Sequence, residues 1–239
     1  LLSKVRLLPR KINIKNKKML RKSKIKKQNL GQQAYKSFKN LLLNKRLWKP
    51  GEFVSQLELV NETGVQISPM RDALQKLSAE GLVIISPRKG IQVTPASTKL
   101  IREVFHFRII MEKEALLFFI ENAHEDLVKP IQEEHVKLFK KTEKIETPTE
   151  LREIIRLEGV DLHTRLIDFM ANDLVSKMHK INEDKIRLFR LDDQFIYTNK
   201  HVNETFKKEH EDIIDAILKK NPEKATEKLE HHNRMALKR

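Results

Sequence analysis

The chain has 239 residues, of which 39% are hydrophobic and 34% are charged, and its formal net charge at pH 7 is +15. No run approaches the roughly 18 consecutive apolar residues of a membrane span, and the absence of cysteine excludes disulfide frameworks and thiolate metal sites. The length is sufficient for two ordinary domains.

The basic charge is concentrated at the N-terminus. Residues 1–30 hold twelve of the 48 Lys and Arg residues and no acidic residue, so the remainder carries 36 basic and 33 acidic residues. We interpret 1–29 as a disordered basic arm, because nothing in it is patterned to fold, and Met19 within it is a plausible initiator. Such an arm would attract phosphate without regard to sequence and with a steep dependence on salt.

Helical signals begin near Leu30. One apolar stripe recurs at three- and four-residue steps and predicts a first helix: Ala34, Phe38, Leu41 and Leu42. Ser55 is a candidate N-cap for a short second helix, which the turn at Thr63-Gly64 would end. Ser68-Pro69 predicts the start of a third helix, with serine as N-cap and proline at the first helical position, and Gly81 would end it.

Residues 82–93 predict a β-hairpin. Leu82–Ile85 and Ile91–Val93 have the composition of strands, and Pro87–Gly90 that of a turn. Helix, short helix, turn, helix and basic hairpin form the layout of a winged helix-turn-helix, whose helix after the turn enters the DNA major groove. We therefore assign a DNA-binding domain to 30–94, with these candidate DNA contacts: Gln66, Ser68, Arg71, Arg88, Lys89 and Gly90.

The remainder of the chain is helical. We interpret 95–99 as a linker and 100–239 as an all-α antiparallel bundle, with helices near 98–122, 125–143, 148–171, 173–195, 203–219 and 222–238. Pro130, Pro148, Asn172-Asp173 and Asn221-Pro222 are the predicted breaks. The fold class is thus mainly α: an N-terminal winged helix-turn-helix followed by a C-terminal all-α bundle.

Three of the nine histidines lie on apolar faces of the predicted helices: His163, His210 and His232. His231 points to a charged face and is expected to be exposed. A single inward histidine is usually a core residue, whereas three that converge form a plausible site for Zn, Ni, Mn or Fe. Helical periodicity alone leaves both interpretations open.

The first domain resembles the DNA-binding domain of GntR-family transcription regulators. The resemblance rests on Lys49-Pro50-Gly51, Pro69–Leu74, Glu80–Val83 and Arg88–Val93 taken together. Two positions depart from the family pattern: Gln56 replaces an acid, and Ile67 stands where the family places an arginine that contacts a base. The resemblance therefore implies an atypical operator, or binding that relies more on Arg71 and the wing.

The second domain resembles the ligand-sensing domain of FadR-like (FCD) members of that family. The matching residues are Arg108 with Glu112, His163 with Asn172, and Glu209-His210 with His232. The resemblance implies a divalent metal on the three histidines and a small carboxylate effector near Arg108 and Asn172. It also implies an aspartate one turn before His163, where this chain has Gly159. A pocket without metal, in which the histidines and Arg108 hold an anion directly, is the alternative.

These features predict a cytoplasmic bacterial transcriptional regulator, and not an enzyme, that binds a double-stranded DNA operator as a homodimer. Two alternatives stay open. A metal-dependent hydrolase would use water on the three-histidine metal. A non-specific nucleic-acid-binding protein would depend on the basic arm, and its binding would be lost on removal of residues 1–28.

Overall fold

The computed structural model describes residues 30–87, 90–151, 154, 162–189, 198 and 200–238. Contacts divide the chain into two compact units, Leu1–Thr94 and Pro95–Arg239. The predicted basic arm 1–29 lies outside the described residues. The predicted fold class is confirmed, since a small sheet with helices is followed by a unit built from helices.

The first unit holds three helices and one sheet. Helix α1 covers 30–43, α2 covers Gln56–Thr63 and α3 covers Ile67–Ala79. Strands β1 (Phe53–Val54), β2 (Val83–Ser86) and β3 (Gly90–Val93) form an antiparallel sheet in the order β1-β3-β2. The predicted hairpin is thus present, while β1 was missed because a strand of two residues has no readable alternation.

The core of this unit is formed by the apolar faces of the helices against β3. Phe38, Leu42, Leu59, Leu74 and Leu77 are fully buried. The rings of Phe38 and Trp48 meet edge to face, with centroids 5.6 Å apart. Ser55 caps α2 as predicted, because its side chain accepts a hydrogen bond from the backbone N–H of Glu58. This packing fixes α3 with one face buried and the other exposed.

The regular structure in the described residues of the second unit is helical, as predicted. Its helices are α4 (Thr98–Asn122), α5 (Glu125–Thr142), α6 (Leu162–Phe169), α7 (Asp173–Phe189), a π-helix (His201–Phe206), α8 (Lys207–Leu218) and α9 (Pro222–Lys238). Residues 148–151 are also helical. The core cluster draws Leu116 and Phe119 from α4, Leu166 from α6, Ile213 from α8 and Leu229 from α9.

The predicted helix 98–122 is confirmed, while one predicted break is wrong. Helix α4 begins at Thr98 and so includes the last two residues of the stretch 95–99, and the Ser97 side chain caps it by accepting a hydrogen bond from the N–H of Leu100. Pro130 lies inside α5 and does not end it. Pro130 is the sixth residue of α5, so the helix continues at the cost of the hydrogen bond that an N–H there would make to the carbonyl oxygen of Asp126.

Candidate functional site

Helix α3 has one buried and one exposed face. Pro69, Met70, Ala73, Leu74 and Leu77 are buried. On the opposite side, Ile67, Ser68, Arg71 and Gln75 are exposed, and Ile67, Arg71 and Gln75 follow one another at four-residue steps. Side chains four apart lie on the same face of a helix, so these residues form one strip that is free of core packing.

The start of α3 differs from the predicted one. The helix begins at Ile67 with Gln66 at the N-cap position, so Ser68 is its second residue, Pro69 its third and Arg71 its fifth. The first four N–H groups of any helix lack intrahelical partners, so Pro69 costs no hydrogen bond at this position. Gln66 makes no side-chain hydrogen bond to the cap, and both Gln66 and Ser68 are exposed beside Arg71.

Only part of the predicted wing tip is described. Arg88 and Lys89 lie outside the described residues. Gly90 opens β3 opposite Ser86 with φ +92°, a conformation that favours glycine. A Cβ at this position would lie 3.6 Å from the carbonyl oxygen of Val54. Gly90 is therefore explained by the tight end of the hairpin.

The three predicted histidines come together in the second unit. His163 on α6, His210 on α8 and His232 on α9 are all buried, and one ring nitrogen of each lies within 4.8 Å of one ring nitrogen of both others. Ring centroids are 5.5 Å apart for His163 and His210, 5.1 Å for His163 and His232, and 4.8 Å for His210 and His232. Helical periodicity thus identified three side chains that converge from three helices.

Carboxylates hold the Nδ1 atoms of two of these rings. The Nδ1 of His163 lies 2.8 Å from Oε2 of Glu112, and the Nδ1 of His232 lies 2.8 Å from Oε2 of Glu209. A carboxylate accepts a hydrogen bond from Nδ1–H, so the proton stays on Nδ1 and the neutral ring keeps its lone pair on Nε2. The Nε2 of His210 is buried without a hydrogen-bond partner. This pattern of carboxylates behind imidazoles is typical of metal-binding histidines.

Glu112 is the centre of the polar network. Its Oε1 accepts from Arg108 Nε at 2.7 Å and contacts His179 Nε2 at 3.2 Å, and its Oε2 accepts from Asn233 Nδ2 at 2.8 Å besides contacting His163. Burial raises the pKa of this carboxyl, but the charge of Arg108 and the contacts with His163 outweigh burial and hold the pKa well below its usual range. Glu112 is therefore an ionised, saturated acceptor.

The environment favours neutral imidazoles. Burial lowers the pKa of His232 to about 4 although Glu209 opposes the shift. Burial, followed by the neighbouring His232 and His163, also lowers the pKa of His210 well below its usual range. Neutral imidazole is the form that binds metal ions, so the site presents ligand-competent rings.

The two predicted effector contacts differ in exposure, since one is buried and the other lies at the surface. Arg108 is buried and is paired with Glu112 and, at 3.4 Å, with Glu183. Asn172 is exposed, and its Oδ1 accepts from the backbone N–H groups of Leu174 and Val175 at 3.1 and 3.3 Å. Asn172 therefore caps α7, which is a different role from the effector contact that the resemblance implies.

Five histidines are buried in the described residues, two more than predicted. His135 on α5 shares a face with Ile131, Leu138 and Phe139, a pattern that was readable from the sequence and was missed. His179 on α7 contacts Glu112 and lies among polar residues, so its burial left no apolar signal. Burial and then the charge of Lys207 lower the pKa of His135 to about 4.

The residues present fit a divalent cation better than an anion. Arg108, Glu112, Glu183 and Glu209 surround the histidines with three carboxylates and one guanidinium, so this set holds two more negative than positive charges. Neutral imidazoles backed by such a set would stabilise a dication. A second acidic cluster, Glu112, His179 and Glu183, has the Arg108 guanidinium against both carboxylates and is explained as an ion-pair network.

Gly159, which the resemblance places where the family has an aspartate, lies outside the described residues. The metal prediction therefore depends on the three histidines and the groups behind them. In the part of the chain that the structure describes, no helix is both long and apolar enough to cross a bilayer.

Comparison with known families agrees with the two units. Residues 30–93 match the family described as bacterial regulatory proteins, gntR family, and residues 103–235 match the FCD domain. The chain is 32% identical over 201 residues to the HTH-type transcriptional regulator YdhC of Bacillus subtilis strain 168, covering 84% of this chain and 86% of that protein. It is 23% identical over 143 residues to the Nta operon transcriptional regulator of Aminobacter aminovorans, covering 60% and 65%.

Solved structures share the fold. McbR/YncC of E. coli superposes with a TM-score of 0.64 at 18% identity, over 86% of this chain and 94% of that one. A transcriptional regulator from Rhodococcus sp. RHA1 superposes with a TM-score of 0.61 at 16% identity, over 89% and 96%. At these identities the likeness extends to the fold only.

Proposed function

The chain belongs to the GntR family of bacterial regulatory proteins and is a transcriptional regulator of the GntR and FCD type, and from this premise we propose that its affinity for a DNA operator is controlled by a small carboxylate effector. The exposed strip of α3 with Arg71 supports the DNA contact, and the cluster of His163, His210 and His232 supports the effector site. The domain division that we propose is 30–94 for DNA binding, 95–99 for the connection and 100–239 for the effector.

The operator contact is proposed for α3 and the wing. Arg71 is exposed on the strip and is not needed for the core, so its guanidinium is available to bond a guanine edge or a phosphate. Gln66 and Ser68 lie beside it, and Arg88, Lys89 and Gly90 are proposed to contact the minor groove. Double-stranded DNA in the cell interior is then the partner, which makes the cytoplasm the proposed location.

The effector site is proposed to contain a divalent metal. His163, His210 and His232 would hold the ion, with Glu112 and Glu209 fixing two of the rings through Nδ1. A metal bound there would supply a positive centre to which the carboxylate of an effector binds. Zn, Ni and Fe suit imidazole ligands, and Mn is the weakest of the four candidates because it prefers oxygen ligands.

The alternative of an anion held without metal is disfavoured by charge. Arg108 is already paired with Glu112 and Glu183, and the surrounding set has an excess of carboxylates. Without a metal, the carboxylate of an effector would be repelled by the carboxylates of this set, and the neutral rings would carry no positive charge to attract it. The free energy of hydration that it loses on burial would then exceed what the site returns. An anionic effector therefore requires the cation.

Control of DNA affinity is proposed to act through a homodimer. Two copies of α3 must match two half-sites whose separation is set by the dimer. An effector that binds one dimer geometry better than another would shift the population and with it the operator affinity. Helix α4 leaves Ile110 and Phe118 exposed by 55% and 38%, and apolar side chains of this kind are candidates for the contact between copies.

The experiment that tests the proposed function is in vitro selection of DNA by the full chain, followed by titration of small carboxylates with and without added Zn²⁺. Enrichment of a two-fold symmetric site, with an affinity that changes on adding a carboxylate only when metal is present, is the expected result. Binding of all sequences with equal affinity would support the basic arm as the source of DNA binding and contradict operator recognition. Turnover of a carboxylate ester above a metal-free control would support the hydrolase alternative.

A further inference from the structure

His135 is a buried histidine for which the family resemblance gives no role. It lies on α5 with 1% of its surface exposed, and its Nε2 is buried without a hydrogen-bond partner. The Nε2 of His210 is in the same condition, and the two rings are 5.7 Å apart. A buried polar atom that has no partner destabilises the fold, so two of them side by side indicate a group that binds there.

The surroundings of this pair offer few partners to a water. The ring centroids of Phe139 and His135 are 4.5 Å apart, and those of Phe206 and His210 are 4.4 Å apart. A water between the two Nε2 atoms would have these two partners, the lower end of the two to four that a buried water makes, because the phenyl rings add none. A metal ion, by contrast, can be coordinated by the ring nitrogens themselves. Phe206 belongs to the π-helix that precedes α8, and π-helical turns occur often at functional sites.

We propose that His135 is a fourth protein ligand of the metal held by His163, His210 and His232, and that it replaces the carboxylate missing at Gly159. The proposal rests on the metal site of the proposed function. His135 packs against His210, but the ring nitrogens within 4.8 Å of one another are those of His163, His210 and His232, so His135 would rotate about its side-chain bonds to bring its Nε2 to the ion. Helix α5 packs against α8, which places His135 beside the cluster.

This ligand set changes the metal preference. An aspartate supplies a charged oxygen, whereas His135 supplies a neutral nitrogen, so the described residues would give the ion four imidazoles and no carboxylate in direct contact. Imidazole suits Zn, Ni and Cu, while carboxylate oxygen suits Mn and Mg. We therefore expect the chain to select Zn²⁺ or Ni²⁺ over Mn²⁺ more strongly than a three-histidine, one-aspartate site would.

The experiment uses the full chain, loaded with Cu²⁺ or Co²⁺, and counts ligands spectroscopically. Electron spin-echo measurements on the Cu²⁺ form count bound imidazoles without any substitution, and four are expected. His135→Gln is then compared with His231→Gln, which changes an exposed histidine beside His232. We expect His135→Gln to weaken Zn²⁺ binding at least about 10-fold, the lower end of what even outer-shell changes cost, and to alter the Co²⁺ absorption spectrum, whereas His231→Gln changes neither.

Each other outcome overturns the proposal in a distinguishable way. Three imidazoles in the parent, or an unchanged Co²⁺ spectrum in a folded His135→Gln variant, would leave the metal site in place and remove His135 from it. A parent chain that binds no metal at all would remove the proposed metal site itself. The imidazole count on the parent stands even if His135→Gln fails to fold.

A second inference concerns Ile67, and it is independent of the metal. This residue opens α3, and 48% of its surface is exposed, although it is β-branched and aliphatic. It lies one turn from Arg71 on the exposed strip. Met70, on the buried face of the same helix, is only 1% exposed. In a helix that enters the major groove, an apolar side chain at this position meets base edges, and the C5-methyl of thymine is the apolar group there.

We infer that Ile67 reads a thymine methyl in each operator half-site. This inference rests on the proposed operator contact of α3. The burial of one methyl group is worth about 0.8 kcal/mol, which corresponds to about fourfold in affinity. Replacement of that thymine by deoxyuridine, which lacks only the methyl, isolates the contact.

The test measures the affinity of the full chain for its selected operator with thymine and with deoxyuridine at each position in turn. One position per half-site is expected to lose about fourfold on loss of the methyl, and the loss should vanish in Ile67→Ala but persist in Lys36→Ala, a change on the exposed side of α1. Equal losses in parent and Ile67→Ala would overturn the role of Ile67 while leaving operator recognition intact. Failure to select any operator would instead overturn the proposed function.

Discussion

The Nδ1 atom of His163 lies 2.8 Å from Oε2 of Glu112, a carboxylate with no exposed surface. The same carboxylate accepts from Arg108 on its own helix and from Asn233 on α9. One side chain of α4 therefore contacts both α6, through His163, and α9, through Asn233, and its substitution is expected to affect both stability and metal binding.

Glu112→Gln is expected to destabilise the protein. Loss of the charge removes the carboxylate 2.7 Å from the Nε of the buried Arg108, and removal of one member of a buried pair costs about 3–5 kcal/mol. Urea unfolding measures the free energy of unfolding, with Glu114→Gln as the control because Glu114 is exposed on the same helix. Equal stability of the two variants would contradict the central role of Glu112.

Glu209→Gln separates metal binding from stability. Glu209 accepts from His232 Nδ1 but its side chain is 12% exposed, so its neutralisation has a smaller effect on folding. Loss of the carboxylate behind a metal-binding imidazole lowers metal affinity by about 10- to 100-fold. Competition with a chromogenic chelator measures the Zn²⁺ affinity, and Glu211→Gln on the same helix is the control. An unchanged affinity in Glu209→Gln would mean that the Glu209–His232 pair does not support a ligand.

The three histidines are each expected to be needed for metal binding. His163→Ala, His210→Ala and His232→Ala remove one imidazole each from a cluster in which ring nitrogens lie within 4.8 Å, whereas His231→Ala removes an exposed ring. Elemental analysis after dialysis against Zn²⁺ should show reduced metal in the first three variants and parental metal in the fourth. Parental metal content in all four would contradict the site.

The elements that define these sites were largely predictable because each depends on local sequence. The apolar periodicity of α6, α8 and α9 identified the inward faces with His163, His210 and His232, and Ser55 marked the start of α2. Such signals extend over only a few residues. The family resemblance added the expectation of a metal and of an effector, which periodicity alone left open.

The misses have physical reasons of a different kind. Glu209 on α8 contacts His232 on α9, and such a contact between helices depends on tertiary packing that no local pattern encodes. Asn172 caps α7, a role that its position before Asp173 favours but that the resemblance obscured. The start of α3 was shifted by two residues because proline is tolerated anywhere in the first turn, so Pro69 does not fix the first helical position. His135 is the exception, since its face was readable.

Metal is expected to stabilise the second unit. A ligand that binds only the folded state adds about 2.7 kcal/mol at a free concentration of 100 Kd, and the three imidazoles come from helices that meet only in the folded bundle. Thermal unfolding of the full chain with Zn²⁺ and with a chelator measures the shift, with His210→Ala as the control that should respond to neither. The same melting temperature with and without metal would argue against binding at this cluster.

Arg71→Ala is expected to remove specific DNA binding while leaving the fold intact. Arg71 is exposed on α3 and lies outside the buried set of Met70, Leu74 and Leu77, so truncation removes no core contact. An arginine that bonds a base edge contributes about 1–3 kcal/mol of discrimination, and a dimer loses two such contacts at once. The measurement is the affinity of parent and variant for the selected operator and for an unrelated duplex, at one fixed salt concentration.

Lys36→Ala is the matched control for Arg71→Ala, because it removes one positive charge from an exposed position of α1 in the same unit. A loss confined to the operator in Arg71→Ala, with circular dichroism unchanged, would identify α3 as the helix that reads sequence. An equal loss on both duplexes in both variants would mean that these side chains act only through charge. In that case α3 would position the protein on the phosphate backbone, and base readout would have to come from the wing.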